Sequence, residues 1–359
     1  MNPYRFLPLF FPKRKPPPHP ARIVLILPCC IGDVVMATAT LKALRRGYPN
    51  AHITWAVGSW SRKAIEDHDL LDDLLDTGEA TLPVKSWEAM RHFARQLRAG
   101  EFDLAVSLVR SPLMSAAVLL SGIPYRAGLN SAGRGFGYNI RAKINPAVSR
   151  HEGEIYLDVA RALKLDTADC YANVPVRLAY RAKIRGLTGA QGRYIVLNPA
   201  GGQNPGMMMD AKRWPPAHFA ALADRLSAQT GARIVLIGGP NDHAISEAVL
   251  AAMTTPALDF TGKFSFGEIA ALAAESLLYV GNDTGLTHFA AAAGAKTVMI
   301  LGPTDPARYA PFTPNSHALW KPTALPVGGV ASGVPADWDW ARDGISIDEA
   351  FERIMDFLG

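Results

Sequence analysis

Short apolar runs of strand length alternate with amphipathic helical stretches along this chain, and the alternation begins twice. Arg22-Ile-Val-Leu-Ile-Leu27 is closed by Pro28 and leads, after Gly32, into a helical pattern from Asp33 through Arg46. His52 to Val57 reads as a strand, Trp87 to Ala99 as a helix and Phe102 to Leu108 as another strand. After a polar stretch around Tyr180 to Arg193, Tyr194 to Asn198 restarts the pattern with a glycine loop and a helix from Pro215 to Thr230. Strands at Arg233–Ile237, Leu277–Val280 and Thr297–Leu301 follow, with helices at about Phe266–Ala274 and Thr287–Ala293. Strands separated by helices in this way form parallel sheets covered on both faces. The expected architecture is therefore α/β, with two doubly wound, Rossmann-like domains facing across a cleft at the carboxyl ends of their strands.

The length agrees, since 359 residues exceed the roughly 100–200 of a single domain. The expected division is an N-terminal extension over 1–20, a first domain over 21–185, a second over 186–345, and a C-terminal helix over 346–359 packing back on the first domain. A hydrophobic content of 49% with 19% charged residues excludes a disordered chain. The three cysteines, Cys29, Cys30 and Cys170, have neither the spacing of a disulfide framework nor that of a zinc site, which fits a reducing compartment. No run reaches the ~18 apolar residues of a spanning helix. The apolar patch Phe6 to Phe11, followed by Lys13-Arg-Lys15, has the reverse order of a signal peptide and suits a peripheral contact with an anionic membrane.

Charge is uneven. Residues 1–180 carry 23 Lys and Arg against 16 Asp and Glu, a net of +7, whereas residues 181–359 carry 14 against 16, a net of −2. The first half thus suits an anionic partner. Its basic residues are not interleaved with a nucleic-acid-reading motif, so no nucleic-acid partner is expected.

Neither half has the Gly-x-Gly-x-x-Gly or Gly-x-x-x-x-Gly-Lys-Ser/Thr loop of the common dinucleotide and nucleotide sites. Gly281-Asn-Asp-Thr-Gly-Leu-Thr-His288 supplies another anion site, because it follows a strand and opens a helix whose free N–H groups attract phosphate. There Gly285 admits a ligand, Thr284 adds a hydroxyl, Asp283 can accept from sugar hydroxyls, and His288 lies one turn on. The alternative is that Asp283 or Thr284 caps the helix and His288 is structural. The loop Asn198-Pro-Ala-Gly201-Gly202 precedes Lys212-Arg-Trp-Pro215, where Lys212 either neutralises phosphate or is an exposed helix-start lysine. Asp242, after Gly238-Gly-Pro-Asn, either meets ribose hydroxyls or closes a turn. Gly302-Pro-Thr-Asp305 reads as a turn. Asp33 is either an ordinary first-turn aspartate or a carboxylate able to deprotonate an acceptor hydroxyl.

Taken in order over Arg22 to Phe312, Ile31-Gly-Asp-Val-Val35, Lys212-Arg-Trp-Pro215 and Gly281-Asn-Asp-Thr-Gly-Leu-Thr-His288 resemble glycosyltransferase family 9, the ADP-heptose:lipopolysaccharide heptosyltransferases. The resemblance implies a GT-B fold and inverting, metal-independent transfer with no cofactor, the substrate being a nucleotide sugar such as ADP-heptose. It implies Asp33 as the base, Lys212 at the diphosphate, Asp242 near the ribose, Lys263 and Phe264 near the nucleobase, and Asp283, Thr284, Gly285 and His288 around diphosphate and sugar. Gly201 and Gly202 replace hydroxyl residues, so phosphate contacts there fall to main-chain amides. The implied acceptor is a phosphorylated glycolipid, with Arg62, Lys63, Arg110, Arg126, Arg134 and Arg141 as candidate contacts. The implied location is cytoplasmic, peripheral on the cytoplasmic face of the inner membrane. Departures at Leu27, at Ala39 and in the long Gln203–Asp210 stretch with Met207–Met209 leave donor and acceptor identity open. The alternatives are a family member with another nucleotide sugar or surface glycan, and a silent sugar-nucleotide-binding protein.

Overall fold

The computed structural model describes residues 12–189, 193–204, 207–325, 335 and 337–359. The apolar patch Phe6 to Phe11 lies outside them. The chain divides into two compact units, Met1–Tyr171 and Ala172–Gly359, earlier than the expected 185/186 boundary.

In the first unit the order is β1 (Arg22–Ile26), α1 (Ile31–Gly47), β2 (His52–Val57), α2 (Ser59–Arg62), β3 (Asp73–Asp76) and α3 (Trp87–Ala99). Then come β4 (Leu104–Ser107), α4 (Pro112–Leu120), β5 (Tyr125–Ser131), β6 (Ile140–Ile144) and α5 (Glu152–Ala162). The six strands are parallel in the order β3-β2-β1-β4-β5-β6. β1 and β4 pair through Ile23 with Leu104 and Ile26 with Ser107. The apolar side chains that suggested strands are buried on both faces, from Ile23 to Ile26 and from Leu104 to Val106. α1 packs against α5 and α3 against α4, and right-handed crossovers put these pairs on opposite faces of the sheet.

The second unit has α6 (Leu178–Thr188), β7 (Tyr194–Asn198), a hairpin of β8 (Gln203–Asn204) and β9 (Met207–Met208), α7 (Pro216–Thr230), β10 (Arg233–Leu236) and α8 (His243–Ala252). It continues with β11 (Ala257–Asp259), α9 (Phe266–Glu275), β12 (Leu278–Asn282), α10 (Gly285–Ala292), β13 (Thr297–Ile300), α11 (Pro306–Tyr309), β14 (Ser316–Leu319), α12 (Trp340–Asp343) and α13 (Ile347–Leu358). Its parallel sheet runs β11-β10-β7-β12-β13-β14, the same winding as the first. Two Rossmann-like sheets in one chain make the fold GT-B.

Three expectations change. The polar stretch at Tyr180–Arg193 holds α6, whose inner face buries little beyond Ile184 and Thr188. It is fastened to α9 by ion pairs of Arg181 and Arg185 with Glu275 and of Lys183 with Glu268, so it lacks the apolar stripe that marks a helix in sequence. The C-terminal helix is built into the second unit, where Ala350 and Ile354 join the core against α7 and β14, and Trp214 Nε1 donates to Ile345 O at 3.1 Å. Cys29 and Cys30, read as forming no disulfide, are joined to each other across a cis peptide bond.

Candidate active site

In a sheet wound 3-2-1-4-5-6, the loops after the first and fourth strands leave in opposite directions and open a crevice at the strands' carboxyl ends. In the first unit these loops follow β1 and β4, and they carry Asp33 and Arg110. In the second they follow β7 and β12, and they carry Gly201-Gly202 and Asp283-Thr-Gly285. The motifs singled out from sequence therefore fall at the switch point of each sheet.

Asp33 is the third residue of α1 and is half-buried. Tyr156, on α5, donates its hydroxyl to Asp33 Oδ1 at 2.7 Å. Glu152, one turn earlier on α5 and only 1% exposed, is hydrogen-bonded and ion-paired to Arg110. Burial, and then the charge of Glu152, raise the Asp33 carboxyl from 3.8 to about 6 against the opposing pull of Tyr156, the Cys30 main chain and Arg110. A carboxylate with a pKa closer to neutrality is a stronger proton acceptor that is still mostly ionised at pH 7.5.

The other basic candidates divide by what holds them. Arg110 is committed to Glu152 and so acts on Asp33 electrostatically. Arg126 donates to Ile123 O at 2.6 Å and Gly137 O at 2.9 Å, and Arg141 donates to Tyr138 O at 2.6 Å and Phe136 O at 3.3 Å. Both thus brace the β5–β6 connection. Arg62 lies 3.8 Å from Asp76 beside exposed Lys63, after the carboxyl end of β2, while Arg134 follows β5.

In the second unit, Lys212 is buried and its Nζ meets Asp283 Oδ2 at 2.5 Å, which excludes the exposed-lysine alternative. Burial pushes the Asp283 carboxyl up, but the charge and hydrogen bond of Lys212, helped by His288, prevail and hold it below the usual range. Thr284 is the N-cap of α10, accepting from Leu286 N at 3.2 Å and from Asn198 Nδ2 at 3.3 Å. The capping reading is correct for Thr284, and it leaves Gly285 as the first residue of the helix, with His288 buried one turn later. Gly201 and Gly202 have φ of 124° and 73°. A Cβ on Gly201 would lie 2.0 Å from Thr284 Cγ2, and one on Gly202 2.4 Å from Met209 O, so the loop can lie against the start of α10 only without side chains.

Asn282 was not singled out from sequence, although it lies inside a motif that was. Its Oδ1 accepts from Trp214 N at 2.9 Å and its Nδ2 donates to Pro199 O at 2.8 Å and Ala200 O at 3.2 Å, tying the end of β12 to the Trp214 segment and the loop after β7. Arg213 Nε adds a bond to Gly201 O at 2.7 Å. Tyr156 and Glu152 were also missed; nothing local marks them, because they reach Asp33 only when α5 packs on α1.

Asp242 precedes α8 and accepts from Gly239 N at 2.7 Å, closing the turn after β10; burial raises its carboxyl. After β11, Phe264 lies 4.7 Å from Phe260 between ring centroids, and Lys263 Nζ donates to Asp259 O at 2.7 Å. These side chains form an aromatic and cationic rim at the carboxyl ends of β10 and β11.

Residues 90–326 match glycosyltransferase family 9 (heptosyltransferase). Lipopolysaccharide heptosyltransferase 2 of Escherichia coli K12 is 27% identical over 305 residues, covering 82% of this chain and 85% of that protein. Among solved structures, a family 9 glycosyl transferase from Veillonella parvula superposes with a TM-score of 0.77 at 23% identity, covering 94% of this chain and 97% of that one. The E. coli ADP-heptose lps heptosyltransferase II superposes with a TM-score of 0.72 at 23% identity, covering 94% and 98%. The match over well over half of its length shows that this chain belongs to glycosyltransferase family 9, the heptosyltransferases, and is a glycosyl-transferring enzyme.

Proposed function

We propose that the enzyme moves heptose from ADP-heptose to a lipopolysaccharide inner-core acceptor with inversion, without a metal, Asp33 acting as general base. The observation that carries this reading is the Asp33 carboxylate, raised to about 6 and held by Tyr156 at the switch point of the basic unit. The acceptor hydroxyl gives its proton to Asp33 as its oxygen attacks the anomeric carbon from the face opposite the diphosphate. The bond to the diphosphate oxygen breaks and ADP leaves with the electron pair, so one displacement inverts the configuration.

Charge developing on the departing diphosphate is met by Lys212 and the positive dipole end of α10 at Gly285, a preorganised electrostatic role of the kind a divalent cation fills elsewhere. Asp283, kept ionised by Lys212, accepts from sugar hydroxyls. The Phe260–Phe264 pair offers a stacking face for the nucleobase, and Asp242 lies toward the ribose. The acceptor is a glycolipid, in keeping with the lipopolysaccharide in the name of the E. coli relative and with the +7 charge of residues 1–180, and the enzyme meets it at the cytoplasmic face of the inner membrane.

The test uses Asp33→Ala and Asp33→Asn with ADP-heptose and a heptose-deficient lipopolysaccharide, products read by mass spectrometry. Loss of a general base should lower kcat by about 10²–10⁴-fold while calorimetry gives unchanged ADP affinity. Turnover retained in both variants would remove Asp33 as the base. Consumption of a different nucleotide sugar, with ADP-heptose left intact, would remove the heptose donor.

A further inference from the structure

A surface helix of a soluble protein normally turns polar side chains outward. α4 does not: in Pro112–Leu120 the one polar residue is Ser115, and it is buried. Its outward side is Leu113 and Leu120, 40% and 43% exposed, with Ala116 and Leu119 partly exposed between them.

Beside it, α3 buries Met90, Phe93, Ala94 and Leu97 and turns Trp87, Arg91, Arg95 and Arg98 outward, a stripe at i, i+4, i+8 and i+11. Trp87 is 64% exposed. Arg98 donates to Leu120 O at 2.6 Å and Ser121 O at 3.2 Å, fixing the end of the basic stripe to the end of the apolar one. Arg91 and Arg95 have no ion pair among the described residues, and the two helices carry three arginines against the single Glu88. Near the end of α4, Arg14 is anchored to Pro124 O at 3.4 Å and lies over the Tyr125 ring, and exposed Lys13 and Lys15 flank it in sequence.

An aliphatic strip beside a row of arginines, with tryptophan at one end and lysines at the other, matches the layered chemistry of a lipid–water interface. The leucines enter the acyl boundary, the indole sits at headgroup depth, and the arginine stems lie along apolar surface with their guanidinium groups on phosphates. A symmetric contact between two copies would set this row against itself. We propose that the α3–α4 face of the first unit docks on an anionic phospholipid bilayer. This inference is independent of the donor and base assignments.

The test is co-sedimentation of the full chain with vesicles of phosphatidylcholine alone or mixed with phosphatidylglycerol. Binding is expected on the mixed vesicles and much less on the neutral ones. At about 1 kcal/mol per arginine near an anionic surface, Arg91→Gln/Arg95→Gln should weaken partitioning about thirtyfold. Leu113→Asn/Leu120→Asn should weaken it about tenfold, and Leu178→Asn, on α6 of the second unit, should leave it unchanged. Thermal melts and ADP affinity of each variant show that the protein remains folded. The proposal is overturned if wild type binds both vesicle types equally or neither, or if both double variants bind like wild type. It is also overturned if the leucine variant abolishes a dimer seen in sedimentation velocity without changing vesicle binding.

Discussion

Replacing Glu152 by Gln removes a buried negative charge while keeping the size and hydrogen-bonding capacity of the side chain, and it should move the pH dependence of transfer in a defined direction. The Asp33 carboxyl sits at about 6 instead of 3.8. That difference of about 2 units favours the neutral form by about 3 kcal/mol. Burial is the larger cause and Glu152 the next, so loss of the Glu152 charge should return a minor share, about one unit or about 1.4 kcal/mol. The acid limb of kcat/KM against pH should then move from about 6 to about 5. At pH 5 the wild type would retain about a tenth of its plateau and the variant about half, a fivefold difference in relative rate. Tyr156→Phe removes a hydrogen bond to the ionised form, so its limb should move upward. The folded-state pKa is the raised one, so Asp33 contributes stability below about 4 and loses it as pH rises through about 6; Glu152→Gln should lessen that loss in thermal melts. An acid limb that stays in place or rises in a folded Glu152→Gln protein would refute the assignment of Asp33 as the titrating base or of Glu152 as its neighbour.

Lys212→Ala leaves Asp283 buried without its cation and should cost about 3 kcal/mol in denaturant unfolding, with ADP binding by calorimetry weakened at least tenfold. Gly201→Ala places a Cβ against Thr284 at a φ of 124°, so the loop and the start of α10 must part. ADP affinity should fall by about tenfold or more while the far-ultraviolet spectrum is retained. Asn282→Ala frees Trp214 N and two loop carbonyls from their shared partner, and the melt should show a loss of about 2–3 kcal/mol.

The sequence determined the elements that local physics controls. Buried parallel strands need apolar runs and their connecting helices need a 3.6-residue stripe, so β1, β2, β7, α1, α3, α7 and the duplicated order were legible, as were the three motifs at the strand ends. What comes from partners was not: α6 depends on ion pairs to α9, and α13, legible as a helix, was expected on the first domain but packs on a core supplied by α7 and β14. The meaning of single residues belonged to tertiary structure. Nothing near Asp33 in sequence shows its surroundings, because Tyr156, 123 positions away, and Glu152 come beside it only in the folded unit. Lys212 became a buried cation when the chain set Asp283, 71 positions on, against it. Proton affinity depends on the dielectric and on charges within a few ångströms, and for these residues both are set by distant parts of the chain.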